Sequence, residues 1–404
     1  MVRDKIYRRH VLRIAIGITT LVLSLAGGAN AQNIISSCTT ISSPGEYVLN
    51  TSIINSGAPS CIDIISSNVV FDGAGYTIDG IGGINTKGVF VSNFSIALTN
   101  VTITNLTATH WDYGIYYSNT ANGSITNNNA SLNINTGIAI VASSNITLNG
   151  NNVSNSFKGI EVDFSSNNTL SGNNASIGGI SLISSNSNTL NNNDASIGGI
   201  SISSSNSNNL SGNNASFGGI SLSTSKSNYL SGNNASIGGI SLIYSNSNTL
   251  NNNDANSFDI ISLLQSNNNM LSGNNVSVSS IQPPNTTMII SGILLYSSNN
   301  NTLIGNNISN FSNSFFPILP GAQTSGIFMD SSSGNNLSSN SISNNTYGIL
   351  ISGSNNNNLT NNNVSNNNYG IELTSSSNNT IYNNYFNNTI NAVEKLIELA
   401  EKGD

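Results

Sequence analysis

The sequence predicts an all-β solenoid of the parallel β-helix type, and three observations support this. The segment IGGISLISSNSNTLNNNDAS at 177–196 is followed by three near copies that end at residue 256. A Gly-Ile marker, or its equivalent, recurs fourteen times from Ile62 to Ile371 at spacings of 20–34 residues, and a fixed period in this range indicates a solenoid. Each repeat holds short alternating apolar and polar runs, which are typical of strands, and leaves no room for a helix of about ten residues.

The first 31 residues are predicted to be an export signal that is not part of the fold. A basic stretch, MVRDKIYRRHVLR, precedes the apolar stretch IAIGITTLVLSLAGG, and Ala29 and Ala31 mark a small-residue cleavage site. An uncleaved membrane anchor is the alternative interpretation. No other run approaches the ~18 apolar residues of a spanning helix. We therefore predict no transmembrane segment after cleavage and a secreted or cell-surface location.

The chain that follows residue 31 is poor in positive charge. All four arginines lie within the predicted signal, and the remaining chain has five lysines against sixteen acidic residues, a net charge of −11. Binding to nucleic-acid phosphates needs clusters of Lys and Arg. The composition therefore excludes nucleic acid as a partner.

The N-terminal end of the solenoid is predicted to carry a cap and a disulfide. We assign residues 32–61 to the cap and residues 62–390 to the β-helix. Cys38 and Cys61 are the two cysteines of the chain, and they bracket the first predicted strands. Because an exported chain meets an oxidising compartment, we predict that they form a disulfide that staples this end.

Identical repeats place identical residues above one another, at about 4.8 Å per coil. About 14 coils would then form a rod of roughly 60 Å. We expect the recurrent asparagines to form ladders between coils and to supply the left-handed conformations of tight turns. The predicted internal stack is Ile180, Ile200, Ile220 and Ile240, and the predicted ladders include Asn173, Asn213 and Asn233.

The period is broken twice, between Ile260 and Ile293 and again between Ile293 and Ile327. The extra residues lie in 276–291 and 310–325. Loops on one face of a repeat array often form its binding face, so we predict a ligand-binding patch here; loops packed on their own rod are the alternative. The residues assigned to this patch are Tyr296, Phe328, Asp330, Phe315 and Phe316.

The C-terminal segment NAVEKLIELAEKGD, residues 391–404, is predicted to be a short amphipathic helix. Its apolar residues fall on one stripe at helical spacing. A helix here would cover the strand edges of the last coil. Association with another copy through the same stripe is the alternative, and the sequence leaves the oligomeric state open.

Two segments carry a resemblance to a known family. SSNVVFDGAGYTIDG (66–80), preceded by Cys-Ile-Asp-Ile, resembles the first coil of the right-handed parallel β-helix superfamily. YGIELTSSSNNTIYNN (369–384) resembles the repeat of its NosD-like group, also called the carbohydrate-binding and sugar-hydrolase domain, and the opening is similar to exported archaeal surface proteins. The resemblance covers 62–390 and implies a right-handed coil. Such proteins include lyases, hydrolases, epimerases, copper-site maturation proteins and adhesive proteins, so the fold does not fix the function.

KGIEVDF, residues 158–164, contains the best catalytic candidates. Glu161 and Asp163 would face outward with Cα atoms about 6.6 Å apart. Two carboxylates at this spacing suit a glycosidic bond or Ca²⁺, with Lys158 close enough to assist. A solvated strand face is the alternative. The catalytic assignment requires the intervening side chains to face inward, namely Ile160, Val162 and Phe164.

The coils beside this pair add no further acid, which weakens the case for Ca²⁺. Ala139 and Val141 stand on one side, and Ser181 and Ile183 on the other. We therefore expect no cofactor. Tyr116, two coils earlier, would face outward and could stack on a sugar.

The remaining candidates for metal or base chemistry are few. A soft metal site needs several His, Cys or Met side chains, whereas the chain after residue 31 has one His, two Cys and three scattered Met residues. We predict no copper or other metal site. His110 and Asp112 in HWDYGIYY could act as a base and its orienter, or form a turn packed by Trp111.

These observations favour an exported, non-catalytic, structural or adhesive β-helix protein that binds a polysaccharide or a cell-envelope glycan. The duplicated block 177–256, which contains almost no reactive side chains, is the main reason. The alternative is a polysaccharide hydrolase, lyase or epimerase that acts on the outer face through Glu161 and Asp163.

Overall fold

The computed structural model of the protein describes residues 32–256, 261–278, 290–312 and 324–395. The predicted signal therefore lies outside the described residues. All regular structure in the described residues is β-strand, and every strand pair is parallel. The predicted all-β parallel β-helix is confirmed.

Two sheets of sixteen strands each run the length of the solenoid. With strands numbered in chain order, the first sheet holds β1 Asn33–Ile35, β3 Gly45–Leu49, β6 Val69–Asp72, β10 Val101–Thr104, β14 Ser124–Thr126, β16 Thr147–Asn149, β18 Thr169–Ser171, β20 Thr189–Asn191, β22 Asn209–Ser211, β24 Tyr229–Ser231, β26 Thr249–Asn251, β29 Met270–Ser272, β32 Thr302–Ile304, β35 Asn336–Ser338, β38 Asn358–Thr360 and β41 Thr380–Tyr382. The second sheet holds β2 Thr39–Ile41, β5 Ser60–Ile64, β8 Lys87–Val91, β12 Tyr113–Ser118, β15 Thr136–Val141, β17 Lys158–Asp163, β19 Ile180–Ile183, β21 Ile200–Ser203, β23 Ile220–Ser223, β25 Ile240–Ile243, β28 Ile261–Leu264, β31 Ile290–Tyr296, β34 Thr324–Asp330, β37 Tyr347–Ser352, β40 Tyr369–Thr374 and β43 Ile390–Lys395.

Shorter strands and single-residue bridges form a further face of the solenoid. The shorter strands are β4 Ile53–Ser56, β7 Thr77–Gly80 and β11 Thr107–Thr109; β27 Asp254–Ala255, β30 Asn275–Ser277, β33 Asn307–Ser309, β36 Ser341–Ser343, β39 Asn363–Ser365 and β42 Tyr385–Asn387; and the separate pair β9 Leu98–Thr99 and β13 Thr120–Ala121. The bridges run from Thr107 through Asn174 to Asp254 and join the group that contains β11 to the group that begins with β27.

The core consists of stacked Ile, Leu and Val side chains inside the coils. Ile180, Ile200, Ile220 and Ile240 are directly paired in register and almost fully buried, as predicted. The next partner in the stack is Ile261, so the marker assigned to residue 260 is shifted by one. Residue 260 itself lies outside the described residues.

Buried asparagines form the predicted ladders. Asn213 donates its side-chain amide to Asn233 Oδ1 at 3.0 Å and to the Leu190 carbonyl at 2.8 Å. Its own Oδ1 accepts both the backbone and side-chain N–H groups of Asn193, each at 3.0 Å. The same pattern continues along the rod through Asn128, Asn151, Asn173, Asn193, Asn213, Asn233, Asn253, Asn274, Asn306, Asn340, Asn362 and Asn384.

A different set of asparagines supplies the tight turns. Asn127, Asn145 and Asn167 have φ values of 55°, 55° and 58° and lie at the surface. Asn tolerates this left-handed region better than most residues because its short side chain bonds the local backbone. The asparagine content therefore serves two structural purposes, a buried ladder and exposed turns.

The N-terminal segment joins the sheets of the solenoid. Residues 32–61 contribute β1 and β3 to the first sheet and β2 to the second, where β2 pairs with β5. Cys38 and Cys61 form the predicted disulfide, with Cα atoms 4.3 Å apart. It ties the residue before β2 to strand β5.

The predicted helix over 391–404 is wrong where the structure describes it. Residues 391–395 belong to strand β43, which pairs with β40 through Glu372 and Val393. An exposed strand edge offers a row of unpaired N–H and C=O groups. An isolated helix shorter than about 12–15 residues is marginal in water, and the predicted helix has 14 residues. Continuation of the sheet therefore prevails over the local helical pattern. Residues 396–404 lie outside the described residues.

We predict that Asn213→Ala lowers the thermal unfolding midpoint much more than Asn214→Ala. Removal of Asn213 Oδ1 leaves two buried donors of Asn193 without an acceptor, at about 1–3 kcal/mol each. Asn214 is half-exposed and its side chain makes only one ladder bond in each direction. The measurement is thermal unfolding followed by circular dichroism, and equal midpoints for the two variants would contradict the ladder's role.

Candidate functional site

The outer face of the second sheet changes its chemistry along the rod. At one outward position five successive coils, beginning at β5, carry Asp63, Phe90, Tyr116, Ala139 and Glu161, paired in that order. The next four coils carry only serine at this position, namely Ser181, Ser201, Ser221 and Ser241. From β5 to β17 this position therefore carries aromatic and charged side chains that the serine coils lack, and Phe328 and Glu372 occupy it again further along the rod.

Three aromatic rings surround one lysine on strands β8 and β12. The Lys87 Nζ lies 5.1, 5.8 and 5.6 Å from the ring centroids of Phe90, Tyr113 and Tyr116. Tyr116 packs edge-on against Phe90 at 5.6 Å and against Tyr113 at 5.0 Å. Such cation–π and edge-to-face contacts hold all four side chains in one arrangement.

These side chains line a groove on the surface. Two adjoining depressions of about 500 and 490 Å³ share Lys87 and Phe90, together with Asn93 and the almost fully exposed Phe94. One depression continues over Tyr113 and Tyr116, and the other continues toward Asp63. We call this surface the aromatic groove; its residues are Asp63, Asn85, Lys87, Phe90, Ser92, Asn93, Phe94, Tyr113 and Tyr116.

The two tyrosines of the groove remain protonated at neutral pH. Burial raises the pKa of Tyr116, and the neighbouring Tyr113, Glu161 and Asp163 raise it further. Burial also raises the pKa of Tyr113, with the carboxylates of Asp112 and Glu161 acting in the same direction. The Tyr113 hydroxyl accepts a hydrogen bond from Asn135 at 3.0 Å. Both phenols can therefore donate to a ligand.

Glu161 lies on the outer face as predicted, but it is only 9% exposed. One carboxylate oxygen accepts a hydrogen bond from Lys158 and forms an ion pair with it. The other oxygen accepts from Thr136 Oγ1 at 3.3 Å. Both oxygens are thus engaged, and the charge of Glu161 is matched within the coil.

Asp163 is the last residue of the same strand. One of its carboxylate oxygens is buried and has no hydrogen-bond partner. Burial raises the pKa of Asp163, and the negative charge of Glu161 raises it further, while Lys158 partly offsets both. The outward neighbours Val141 and Ile183 on either side are apolar. Ionised Asp163 is therefore poorly solvated.

The inward pattern proposed for this strand holds at two of three positions. Ile160 and Val162 are fully buried. The prediction for Phe164 is wrong, because this residue takes a left-handed conformation with φ of 48° and is 68% exposed. The chain turns at this position in successive coils, for example at Ser184 and Ser204, so the side chain leaves the core whatever its hydropathy.

The patch predicted near the two insertions is only partly described. Tyr296 is 48% exposed and Asp330 half-buried, and the two are paired in register. Phe328 is 5% exposed although its register places it on the outer face, beside the buried Leu350. Phe315 and Phe316 lie outside the described residues. The ligand-binding role of all five predicted residues stays a prediction.

His110 pairs with Asp79 and not with its sequence neighbour Asp112. The His110 Nδ1 lies 2.6 Å from Asp79 Oδ1. Burial opposes ionisation of Asp79, but the hydrogen bonds from His110 and Thr109 outweigh it and lower the pKa of this carboxyl. Asp112 instead accepts the Asn85 backbone N–H at 2.7 Å, and Trp111 is buried with its indole N–H on the Ile78 carbonyl. The segment forms a turn packed by its aromatic.

The aromatic groove was missed by sequence analysis apart from Tyr116. Lys87 and Phe90 are partners of Tyr113 and Tyr116 in the adjoining coil. Their outward positions around the marker Val89 could have been read from the phase of the repeat. The convergence of the rings on one lysine could not, because it depends on side-chain directions in two coils.

Comparison with known proteins places the chain in a family. The profile of the family described as "Periplasmic copper-binding protein (NosD)" matches residues 32–216 and 285–397. The chain belongs to the NosD family. No curated protein sequence matches the chain as a relative.

Solved structures are similar to the chain in fold alone. A DFA-IIIase from Arthrobacter chlorophenolicus A6, in complex with GF2, is 14% identical over 79% of this chain and 82% of its own, with a TM-score of 0.35. The A-module of the mannuronan C-5 epimerase AlgE6 from Azotobacter vinelandii is 15% identical over 91% and 90%, with a TM-score of 0.29. The Dettilon tailspike protein gp208 is 13% identical over 82% and 59%, with a TM-score of 0.30.

The donor side chains in the described part of the chain do not fit the copper named in the family description. Within the described residues no three His, Cys, Asp or Glu side chains converge on one point. Both cysteines are in the disulfide. Met329 is fully buried in the core, and Met270 is 40% exposed on a different sheet. A soft-metal site needs several such donors together, and the described residues do not supply them.

The described segments also include no helix with the length and hydropathy needed to cross a bilayer.

We predict that Asp163→Asn stabilises the protein at about pH 7. The pKa of Asp163 is raised from 3.8 in the fold, so its ionisation disfavours the folded state above that raised value and has no effect well below 3.8. The higher unfolding midpoint of the variant should therefore disappear at about pH 3. Asp254→Asn, at an exposed acid, is the matched control, and a gain that persists at low pH would contradict the assignment.

We also predict that neither Cu(I) nor Cu(II) raises the thermal unfolding midpoint, because a ligand stabilises a fold only when it binds the folded state. The measurement is a melting curve at increasing copper concentration. A rise that disappears in His110→Ala would show that copper binds at the His110–Asp79 pair.

Proposed function

We propose that this chain is an exported, non-catalytic β-helix protein, secreted or held at the cell surface, that binds carbohydrate in the aromatic groove. The observation that carries the proposal is the cluster of Phe90, Tyr113 and Tyr116 around Lys87 beside two depressions of about 500 Å³. Sites that bind small ligands commonly have this volume, with aromatic walls and a few fixed polar groups.

The groove offers the groups that a sugar needs. A sugar ring has apolar C–H faces, which pack on aromatic rings, and hydroxyl groups, which need both donors and acceptors. The amides of Asn85 and Asn93 and the hydroxyl of Ser92 supply both kinds of group. The protonated Tyr113 and Tyr116 add donors. One ammonium and one carboxylate, from Lys87 and Asp63, leave the groove without a dominant charge, which favours neutral glycans.

Export is supported by three independent features. Residues 1–31 have the organisation of a signal peptide. The Cys38–Cys61 disulfide is of a kind that persists in oxidising compartments. The family is described as periplasmic.

A carbohydrate-active enzyme is the second candidate. Glu161 lies two strands from Tyr116 on the same face, roughly 10 Å away, so a glycan in the groove could reach it and Asp163. The poorly solvated Asp163 has the raised pKa of a candidate acid. Against catalysis, the ion pair with Lys158 and the bond from Thr136 already occupy both oxygens of Glu161.

We predict that Phe90→Ala/Tyr116→Ala weakens glycan binding by about tenfold or more. Loss of two ring contacts removes on the order of 1–3 kcal/mol, and 1.4 kcal/mol corresponds to tenfold. The measurement is a glycan array followed by calorimetry on the bound glycan. Tyr229→Ala, at a tyrosine 42% exposed on the first sheet, is the control and should bind as the wild type does.

The same screen separates binding from catalysis. Glycans should be retained without new reducing or unsaturated ends. If ends are released, and if Glu161→Gln/Asp163→Asn stops their release while binding persists, the non-catalytic proposal is wrong. If no glycan binds, the carbohydrate proposal itself is wrong.

A further inference from the structure

The duplicated block 177–256 exposes one apolar position per coil. Ile177, Ile197 and Phe217 are 47%, 58% and 60% exposed, and Ile237 is half-buried at the equivalent position. Each precedes the Gly-Gly pair of its repeat. We call these four residues the apolar ridge.

The ridge is continuous because backbone hydrogen bonds align its members. The N–H groups of Ile197, Phe217 and Ile237 donate to the carbonyls of Ser176, Ser196 and Ser216 at 2.7, 2.7 and 2.6 Å. Each bond joins a ridge residue to the residue just before the ridge member of the preceding coil. The side chains therefore stand above one another at about 4.8 Å.

The position that follows each ridge residue is closed to side chains. A Cβ on Gly198 would collide with the backbone of Gly178 and Gly179 in the preceding coil, and Gly218 meets Gly199 in the same way. The ridge thus stands beside a strip of bare backbone. A partner can approach it closely from that side.

Burial in the rod does not account for the apolar character of the ridge. The neighbouring outward position on the second sheet holds serine in the same coils, for example Ser201 and Ser221. A contiguous exposed apolar surface on a soluble protein commonly marks an interaction site. Its retention in all four copies, with Phe217 replacing Ile once, points to a partner that contacts apolar side chains.

We propose that the apolar ridge packs against the ridge of a second copy of this chain, with the two rods antiparallel and related by a twofold axis. The block contains only three charged residues, Asp194, Lys226 and Asp254. The chain's overall negative charge therefore opposes the contact little at this place. This inference does not depend on carbohydrate binding.

The periodicity of the ridge favours a second copy over an unrelated protein. The coil-to-coil step is the same in both rods, so each side chain of one ridge meets a side chain of the other along the whole stripe. A twofold contact uses the same patch on both copies. With the axis between Ile197 and Phe217, Ile197 of one copy lies opposite Phe217 of the other, and Ile177 lies opposite Ile237.

The contact is small, so the dimer is expected to be weak. Four partly exposed side chains bury on the order of 400 Å² per partner, about half of the ~800 Å² found in a standard interface. Association should therefore be reversible and visible only at high protein concentration.

The first experiment is sedimentation equilibrium on the protein from residue 32 onward, which contains every described strand. We expect the apparent mass to rise toward that of a dimer as concentration increases. Ile197→Asn/Phe217→Asn should weaken association at least about tenfold. Phe217→Ile, which keeps the apolar contact, should retain it.

Tyr244→Asn is the matched control, because Tyr244 is 58% exposed in the same block but lies outside the ridge. Melting curves on every variant separate loss of contact from loss of fold. A wild type that stays monomeric at all concentrations overturns the proposal. So does association that survives the ridge variant, or that Tyr244→Asn disrupts equally.

The second experiment tests the antiparallel register. Both native cysteines are in a disulfide, so an introduced cysteine provides the free thiol. A mixture of Ile197→Cys and Phe217→Cys chains should cross-link at least about tenfold faster than Ile197→Cys alone under mild oxidation. Equal rates would overturn the register. Binding to neutral phosphatidylcholine vesicles in place of self-association would assign the ridge to a lipid surface and overturn the dimer.

Discussion

The buried amide ladder is the constraint on which the rest of this structure depends. Between its two ends, each asparagine of the ladder is satisfied by an asparagine one coil before it and another one coil after it, as Asn213 is by Asn193 and Asn233. An unpaired amide in the core would cost several kcal/mol. A substitution at one rung therefore affects the neighbouring rungs as well. This explains why the chain is rich in asparagine and why near-identical repeats are tolerated, since each new coil brings its own ladder residue in register.

A fixed interior leaves the outward positions free to vary, and the surface chemistry of the rod follows from this. In the coils from β5 to β17 the outward positions of the second sheet carry the aromatic groove and the Lys158–Glu161 pair. In the duplicated block they carry serine there and the apolar ridge at the preceding corner. The block that looks chemically silent has only three charged residues, Asp194, Lys226 and Asp254, but it has a defined surface. Reactivity alone is a poor guide to function in a solenoid, because a regular array can bind through periodic contacts.

Features that depend on the repeat were predicted correctly from the sequence. Features that depend on contacts between side chains of different coils, or on local backbone conformation, were not. The stack of Ile180, Ile200, Ile220 and Ile240, the ladder through Asn213 and the disulfide all follow from period and composition. The prediction of a helix over 391–404 was wrong because a local pattern with a period of 3.6 residues carries no information about the open strand edge of β40 beside it. The inward orientation predicted for Phe164 was wrong because the apolar character of a residue does not reveal a left-handed turn. The closeness of Lys158 to Glu161 was expected, since both lie on one strand. The bond from Thr136 to Glu161 and the gathering of rings around Lys87 depend on side-chain directions in adjacent coils, which periodicity does not specify.

The positions of the aromatic groove and the apolar ridge along one rod determine how far apart two grooves would lie in the proposed dimer. The groove lies near the coil of Val89, and the centre of the ridge lies between the coils of Ile200 and Ile220, between five and six coils further on. Antiparallel pairing about that centre would place the two grooves at opposite ends of the pair, roughly 50 Å apart. A long glycan could then engage both grooves, and the second contact would be intramolecular, which strengthens binding without any new interaction. Under this arrangement the number of duplicated coils sets the distance between grooves, so the repeats would contribute to function through length as well as through surface.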